Sequence, residues 1–154
     1  MTDFRPRGFQ LLPVIVKNLI IINVLFVLGQ FALGSMGIDL ADYLGLHYWR
    51  SEHFGFWQIL THMFMHGSAH DLNLTFWHLF SNMFALWMFG STLENMWGPK
   101  KFLTFYLICG LGAALCHLGV LGYQYETLNN AFNAYQLNPT VDQYEIFLKK
   151  NIPL

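Results

Sequence analysis

The sequence predicts an all-α membrane protein, and three observations carry that expectation. Charged residues make up 11% of the 154, where a soluble domain carries about 25%. Apolar side chains make up 55% and aromatic ones 18%, more than a body of this size hides from water, since a small domain leaves much of its surface exposed. The few charges are spaced so that three long uncharged stretches lie between them. The same composition excludes intrinsic disorder. The net charge of −1 gives no basic field, so no nucleic-acid partner is expected. Cys109 and Cys116 both lie in an apolar run and form neither a disulfide framework nor a CxxC pair.

A helix needs roughly 20 residues to cross about 30 Å of hydrocarbon. The first uncharged stretch, 18–38, lies between Lys17 and Asp39. It is too long for a cleavable signal peptide, and no A-x-A-like site follows it. The second, 72–93, lies between Asp71 and Glu94, and the third, 102–125, between Lys101 and Glu126. All three are expected to span the membrane.

The connections differ in character. Residues 39–71 include Tyr43, Tyr48, Trp49, Phe54, Phe56, Trp57 and Phe64, with several histidines. So aromatic a loop is expected to lie in the membrane interface, where Trp and Tyr rings prefer to sit. Ile59, Leu60, Met63 and Phe64 have helical spacing, which predicts a short helix lying flat. Gly98-Pro99 predicts a sharp turn between the second and third spans. The polar tail from Glu126 onward, with Asn129, Asn130, Asn133, Asn138 and Pro139, reads as a loop with some helical content. Arg5, Arg7 and Lys17 precede the first span, and Lys100 and Lys101 separate the second from the third, while Arg50 alone stands between the first and second. This asymmetry predicts a cytoplasmic N-terminus. Lys149 and Lys150 fall on the opposite side, late in a long segment where the rule is weak.

Polar groups at membrane depth are costly and point to function. In the second span His78 and Asn82 are four residues apart, so they share one helix face, and Ser81 lies partly on it. An imidazole beside a carboxamide offers two neutral hydrogen-bond donors that would stabilise an oxyanion in a site shielded from water. The alternative is packing alone, because His and Asn also bond across helices at about 1 kcal/mol each. His62, His66 and His70 fall at i, i+4 and i+8, a stripe whose pairs could bind zinc. No Glu accompanies them as in H-E-x-x-H, and Gly67-Ser68 interrupts the helix. Interfacial histidines bonded to backbone or to each other are therefore expected, with no metal and no cofactor. In the third span Gly110, Gly112, Ala113, Ala114, Gly119 and Gly122 read as close packing, and His117 as an ordinary bundle residue.

Residues 56–66 (FWQILTHMFMH), then the His78-Leu79-Phe80-Ser81-Asn82-Met83 run, then Gly90-Ser91-Thr92-Leu93-Glu94 and Trp97-Gly98, resemble the rhomboid intramembrane serine proteases. The resemblance covers roughly residues 5–122, and its specific part lies between 57 and 98. It implies a rhomboid-like helical bundle, with three transmembrane helices present of an expected six and residues 1–154 forming the N-terminal part of a single rhomboid domain. In that family a serine in G-x-S-G attacks the peptide bond and a later histidine is its base. His78 and Asn82 would help to hold the oxyanion, and the partners would be transmembrane protein substrates and membrane lipid. The location implied is a multi-pass protein of a bacterial plasma (inner) membrane. Three departures are visible. Trp57 is followed by Gln58 where family members often have arginine. Residues 69–77 read as an insertion before H-x-x-x-N. No G-x-S-G occurs, since Ser68 is followed by Ala69 and neither Ser81 nor Ser91 sits in such a motif. The expectation is an N-terminal portion that carries scaffold and oxyanion donors without nucleophile or base, inactive by itself. The alternative is a non-catalytic rhomboid-like protein that binds transmembrane helices.

Overall fold

A computed structural model of the protein describes residues 8–67, 71–137, 139–140, 142 and 144–145. Among them all regular structure is helical: α1 (Val14–Gly34), α2 (Leu40–Leu44), α3 (Gln58–Thr61), α4 (Leu72–Ala85), α5 (Ser91–Trp97) and α6 (Pro99–Leu137). The chain divides into two compact units, Met1–Ala113 and Ala114–Leu154, with the division inside α6. Arg5, Arg7, Lys149 and Lys150, on which part of the orientation argument rests, lie outside the described residues.

Among the described residues two single helices, α1 and α6, are long and apolar enough to cross a membrane. The stretch expected as the second span is not one of these two. α4 passes into a π-helical turn at Leu86–Gly90 and then into α5. This unbroken run, 72–97, is about 39 Å long at 1.5 Å per residue, long enough for about 30 Å of hydrocarbon.

Apolar side chains on these helices face outward. Leu25, Leu28 and Ile108 are 59%, 59% and 64% exposed. In water each would forgo about 1.5–3 kcal/mol of burial; against lipid tails that penalty vanishes.

The first unit is organised around the start of α1. Pro13 occupies the N-cap and provides no side-chain cap, so the first amides of α1 need partners from elsewhere. Glu94 of α5 provides them: its carboxylate accepts from Ile15 N (3.0 Å) and Val16 N (2.9 Å) and is itself buried. A carboxylate at this end also complements the helix dipole. One face of the same helical run fastens the chain leading into α1. Trp87 Nε1 donates to Leu11 O (2.9 Å), as does Ser91 Oγ (3.2 Å), and Asn95 both donates to Gln10 O and accepts from Gln10 N.

Two glycines flank Glu94 at four-residue intervals. At Gly90 a Cβ would stand 3.1 Å from each of Leu86, Phe102 and Val16, so any larger residue would push these side chains apart at the crossing. Gly98 has φ +81, a conformation costly to any residue with a Cβ, and turns the chain into Pro99 at the start of α6. The core beside this crossing is Val16, Leu19 and Phe102, flanked by Ile15, Ile20, Phe64, Leu86, Leu93 and Tyr106.

In the second unit the tail departs from its expected loop form, because α6 remains helical as far as Leu137. No Gly or Pro occurs from Tyr123 to Leu137, and Ala131, Ala134, Leu128 and Gln136 favour helix. The helix stops two residues before Pro139, whose ring disfavours helix in the residue preceding it. His117 is exposed.

Replacing Glu94 with Gln keeps one acceptor and turns an amide donor toward a helix amide. We expect a loss of about 1–3 kcal/mol, the cost of leaving a buried donor unsatisfied. Thermal unfolding in detergent checks this, and an unchanged melting temperature would contradict the capping role.

Candidate functional site

The loop between α1 and α4 is a folded structure with Gln58 at its centre. Gln58 is fully buried; its Oε1 accepts from His47 N (3.1 Å), and its Nε2 donates to His53 O (2.8 Å) and Tyr43 O (3.3 Å). Trp57 Nε1 also donates to Tyr43 O, and Thr61 Oγ1 donates to Leu44 O. Asp39 caps α2 through Ala41 N. The expected short helix is present as α3, continued by a 3₁₀ turn at His62–Phe64. It docks on both neighbouring helices. Phe64 lies against Phe26 of α1, with ring centroids 5.4 Å apart. Met63 lies against Gly110 of α6, where any Cβ would collide with its thioether.

Two members of the histidine stripe, His62 and His66, are described. His62 Nδ1 donates to Gln58 O (3.0 Å) and His66 Nδ1 to Phe64 O (3.1 Å), so each imidazole bonds to its own local backbone. Ser68, Ala69 and His70 lie outside the described residues. Among the described residues no group of three His, Cys, Asp or Glu is placed to hold a metal.

The loop then enters the wedge between α1 and α4. Gln30, fully buried in α1, donates from Nε2 to Gly67 O (3.0 Å). Gly67 has φ +65, and a Cβ there would collide with Thr75 Oγ1 of α4. Asp71 caps α4 by accepting from Leu74 N (2.9 Å). Of the residues read as an insertion, 72–77 therefore form the opening turns of α4.

α4 keeps a narrow buried face, on which Thr75 is the one fully enclosed residue. His78 and Asn82 are both exposed and lie within 40° of each other around the helix at 100° per residue. Ser81 Oγ donates back to His78 O (3.1 Å), so that hydroxyl is engaged with its own helix. A ladder of aromatic rings runs along the opposite side: Phe76 and Phe80 stack at 6.2 Å, as do Phe80 and Phe84. α4 thus shows a polar face and an aromatic face, neither closed by the described residues.

His66 joins the loop to this polar face. It is 3% exposed, and its ring meets that of His78 edge to face, 5.4 Å apart at 68°. Burial pushes the His66 pKa below its ordinary 6.5; the bond to Phe64 O opposes this, and the neighbouring His78 adds to the lowering. His66 is thereby held neutral, with its proton on Nδ1. The sequence singled out His78 and Asn82 but placed His66 only in a stripe. Gln30, Gly67 and Gln58 carried no recognisable signal, because what matters at each is a backbone group distant in sequence.

These features define a class: a helical integral membrane protein whose loop between α1 and α4 is wedged against a polar face of one apolar helix. A family model of the rhomboid domain matches residues 53–132, and the chain belongs to the rhomboid family. No curated protein and no solved structure matches it.

The shift at His66 has a consequence for stability. Below 6.5 the unfolded chain takes up a proton at His66 while the folded protein resists it, so the unfolded state binds more protons. Stability contributed by neutral His66 is complete above 6.5 and is lost as pH falls through its lowered folded value. Between about pH 7.5 and about pH 5 the wild type should lose more stability than His66→Phe, which has no proton to bind. Equal losses in thermal unfolding scans would contradict the assignment.

Proposed function

We propose that the chain forms the N-terminal portion of a rhomboid-type intramembrane serine endopeptidase, which cleaves peptide bonds in or near substrate transmembrane helices. Its contribution is the scaffold, the interfacial loop and two oxyanion donors, His78 and Asn82. The observation that carries this reading is the pair itself: an imidazole and a carboxamide on one exposed face of an apolar helix. Among the described residues, the ring of His78 on that face meets the ring of His66.

The chemistry follows. A serine hydroxyl, which these 154 residues do not supply in a G-x-S-G motif, attacks the scissile carbonyl and passes its proton to a base. The carbonyl oxygen gains a negative charge. A ring N–H of His78 and the carboxamide N–H of Asn82 donate to that oxygen, in a setting where lipid and protein exclude water and strengthen each bond. Three spans, formed by α1, the 72–97 run and the first part of α6, with Lys17, Lys100 and Lys101 on the cytoplasmic side, put the loop and His78 at the outer face. The membrane expected is a bacterial plasma (inner) membrane. A reporter fused at Gly98 should therefore read cytoplasmic, and an outside reading would overturn the orientation.

The kinetic test uses a version of the protein that includes the nucleophile and base. An oxyanion donor acts in the transition state, so its loss lowers kcat more than it raises KM. Losing one strong donor costs about 10²–10³ in rate. We expect Asn82→Ala near the lower end, because donors share the charge. His78→Ala should cost more, since it also opens a cavity. The competing reading is a non-catalytic rhomboid-like protein that uses the same face to bind transmembrane helices; the exposure of His78 and Asn82 fits that use as well. Under that reading both variants lose stability or binding, while turnover per folded molecule stays near the wild-type value.

A further inference from the structure

We propose that His66 is a positioning residue for His78: its buried ring, fixed by the loop, restrains the exposed His78 ring in one orientation on the polar face of α4. This deepens the oxyanion reading, on which the purpose of the restraint rests; the restraint itself stands on geometry.

An exposed imidazole on a helix has staggered χ1 wells and a broad χ2 available to it. A donor that must meet a developing charge needs one of these selected beforehand, because misplacement of about 1 Å costs catalysis heavily. His78 meets one ring neighbour among the described residues, the edge-to-face His66 at 5.4 Å. His66 can serve as a fixed stop because it is buried, bonded to its own loop, and followed by an anchored residue. Its Nδ1–H is bonded to Phe64 O (3.1 Å), and the next residue is tied to α1 through Gln30 Nε2 and Gly67 O (3.0 Å). Gly67 also abuts Thr75, three residues before His78 on the same helix. The loop and α4 are thus in register at Thr75 and again at His78, and neither anchor touches the His78 ring.

The restraint comes from the flat edge and face of an aromatic ring, whereas the bond to Phe64 O comes from the imidazole nitrogen. Phenylalanine separates the two. His66→Phe keeps a ring in place and loses the bond; His66→Leu fills similar space without a ring; His66→Ala removes both.

The test is NMR of the protein in micelles with isotope-labelled histidine, reading χ1 of His78 from couplings and the cross-relaxation between rings. In the wild type His78 should hold a single rotamer with contacts to the ring of residue 66. His66→Ala and His66→Leu should spread it over two or three wells. His66→Phe should restore the single rotamer even though its melting temperature falls with the lost hydrogen bond. If His66→Ala fails to fold, the comparison of Leu with Phe decides. A single His78 rotamer in the Leu variant overturns the proposal, as does a His78 already averaged in the wild type. The readout needs no turnover, so failure here leaves the kinetic test of His78 and Asn82 intact, and failure there leaves this restraint intact.

Discussion

The carboxylate of Glu94 beneath the first turn of α1 is the contact on which the rest of the first unit depends. α1 has Pro13 at its N-cap and no side-chain cap of its own for its leading amides. A buried amide left unpaired is costly, and here the partner comes from another helix. Glu94 takes two of them and thereby fixes where α1 meets the 72–97 run. Gly90 permits the crossing beside it, and Gly98 permits the turn that brings α6 against the same core. The spacing Gly-x-x-x-Glu-x-x-x-Gly is thus one device, two close or strained backbone positions around one buried acceptor.

That crossing sets the width of the wedge in which the loop is seated. Phe64 reaches the core at the crossing, while Gln30 and Thr75 hold Gly67 higher up. The loop keeps its shape because Gln58 satisfies backbone groups from three of its turns at once. Arginine is frequent at this position in the rhomboid resemblance, but it has donors alone and could not accept from His47 N. Glutamine, which both accepts and donates, makes this loop close on itself.

Much of the fold was legible in the sequence because hydrocarbon imposes a coarse rule. Uncharged stretches between Lys17 and Asp39 and between Lys101 and Glu126 correspond to α1 and to the span-length part of α6. The π-helical turn within the second stretch was not legible, since Leu86–Gly90 has no composition that marks it. Nor was the helical extension to Leu137: asparagines at 129, 130 and 133 read as loop residues, but uninterrupted helix formers around them prevail. At the site, i, i+4 spacing was enough to put His78 and Asn82 on one face. The same arithmetic misgrouped His66 with His62, because the chain leaves the helix after Phe64 and turns His66 toward α4. Glu94 and Gln30 bond to backbone that is distant in sequence, and side-chain patterns carry no record of such partners.

In the proposed function, His78 and Asn82 face the place where negative charge develops. The most direct measurement is a structure of this segment within a rhomboid domain that includes the nucleophile, carrying a covalent serine-directed phosphonate whose oxygen stands in for the oxyanion. That oxygen should stand within about 2.7–3.1 Å of a His78 ring nitrogen and of Asn82 Nδ2. An oxygen turned away from both, with His78 and Asn82 bonded across to a neighbouring helix, would contradict it.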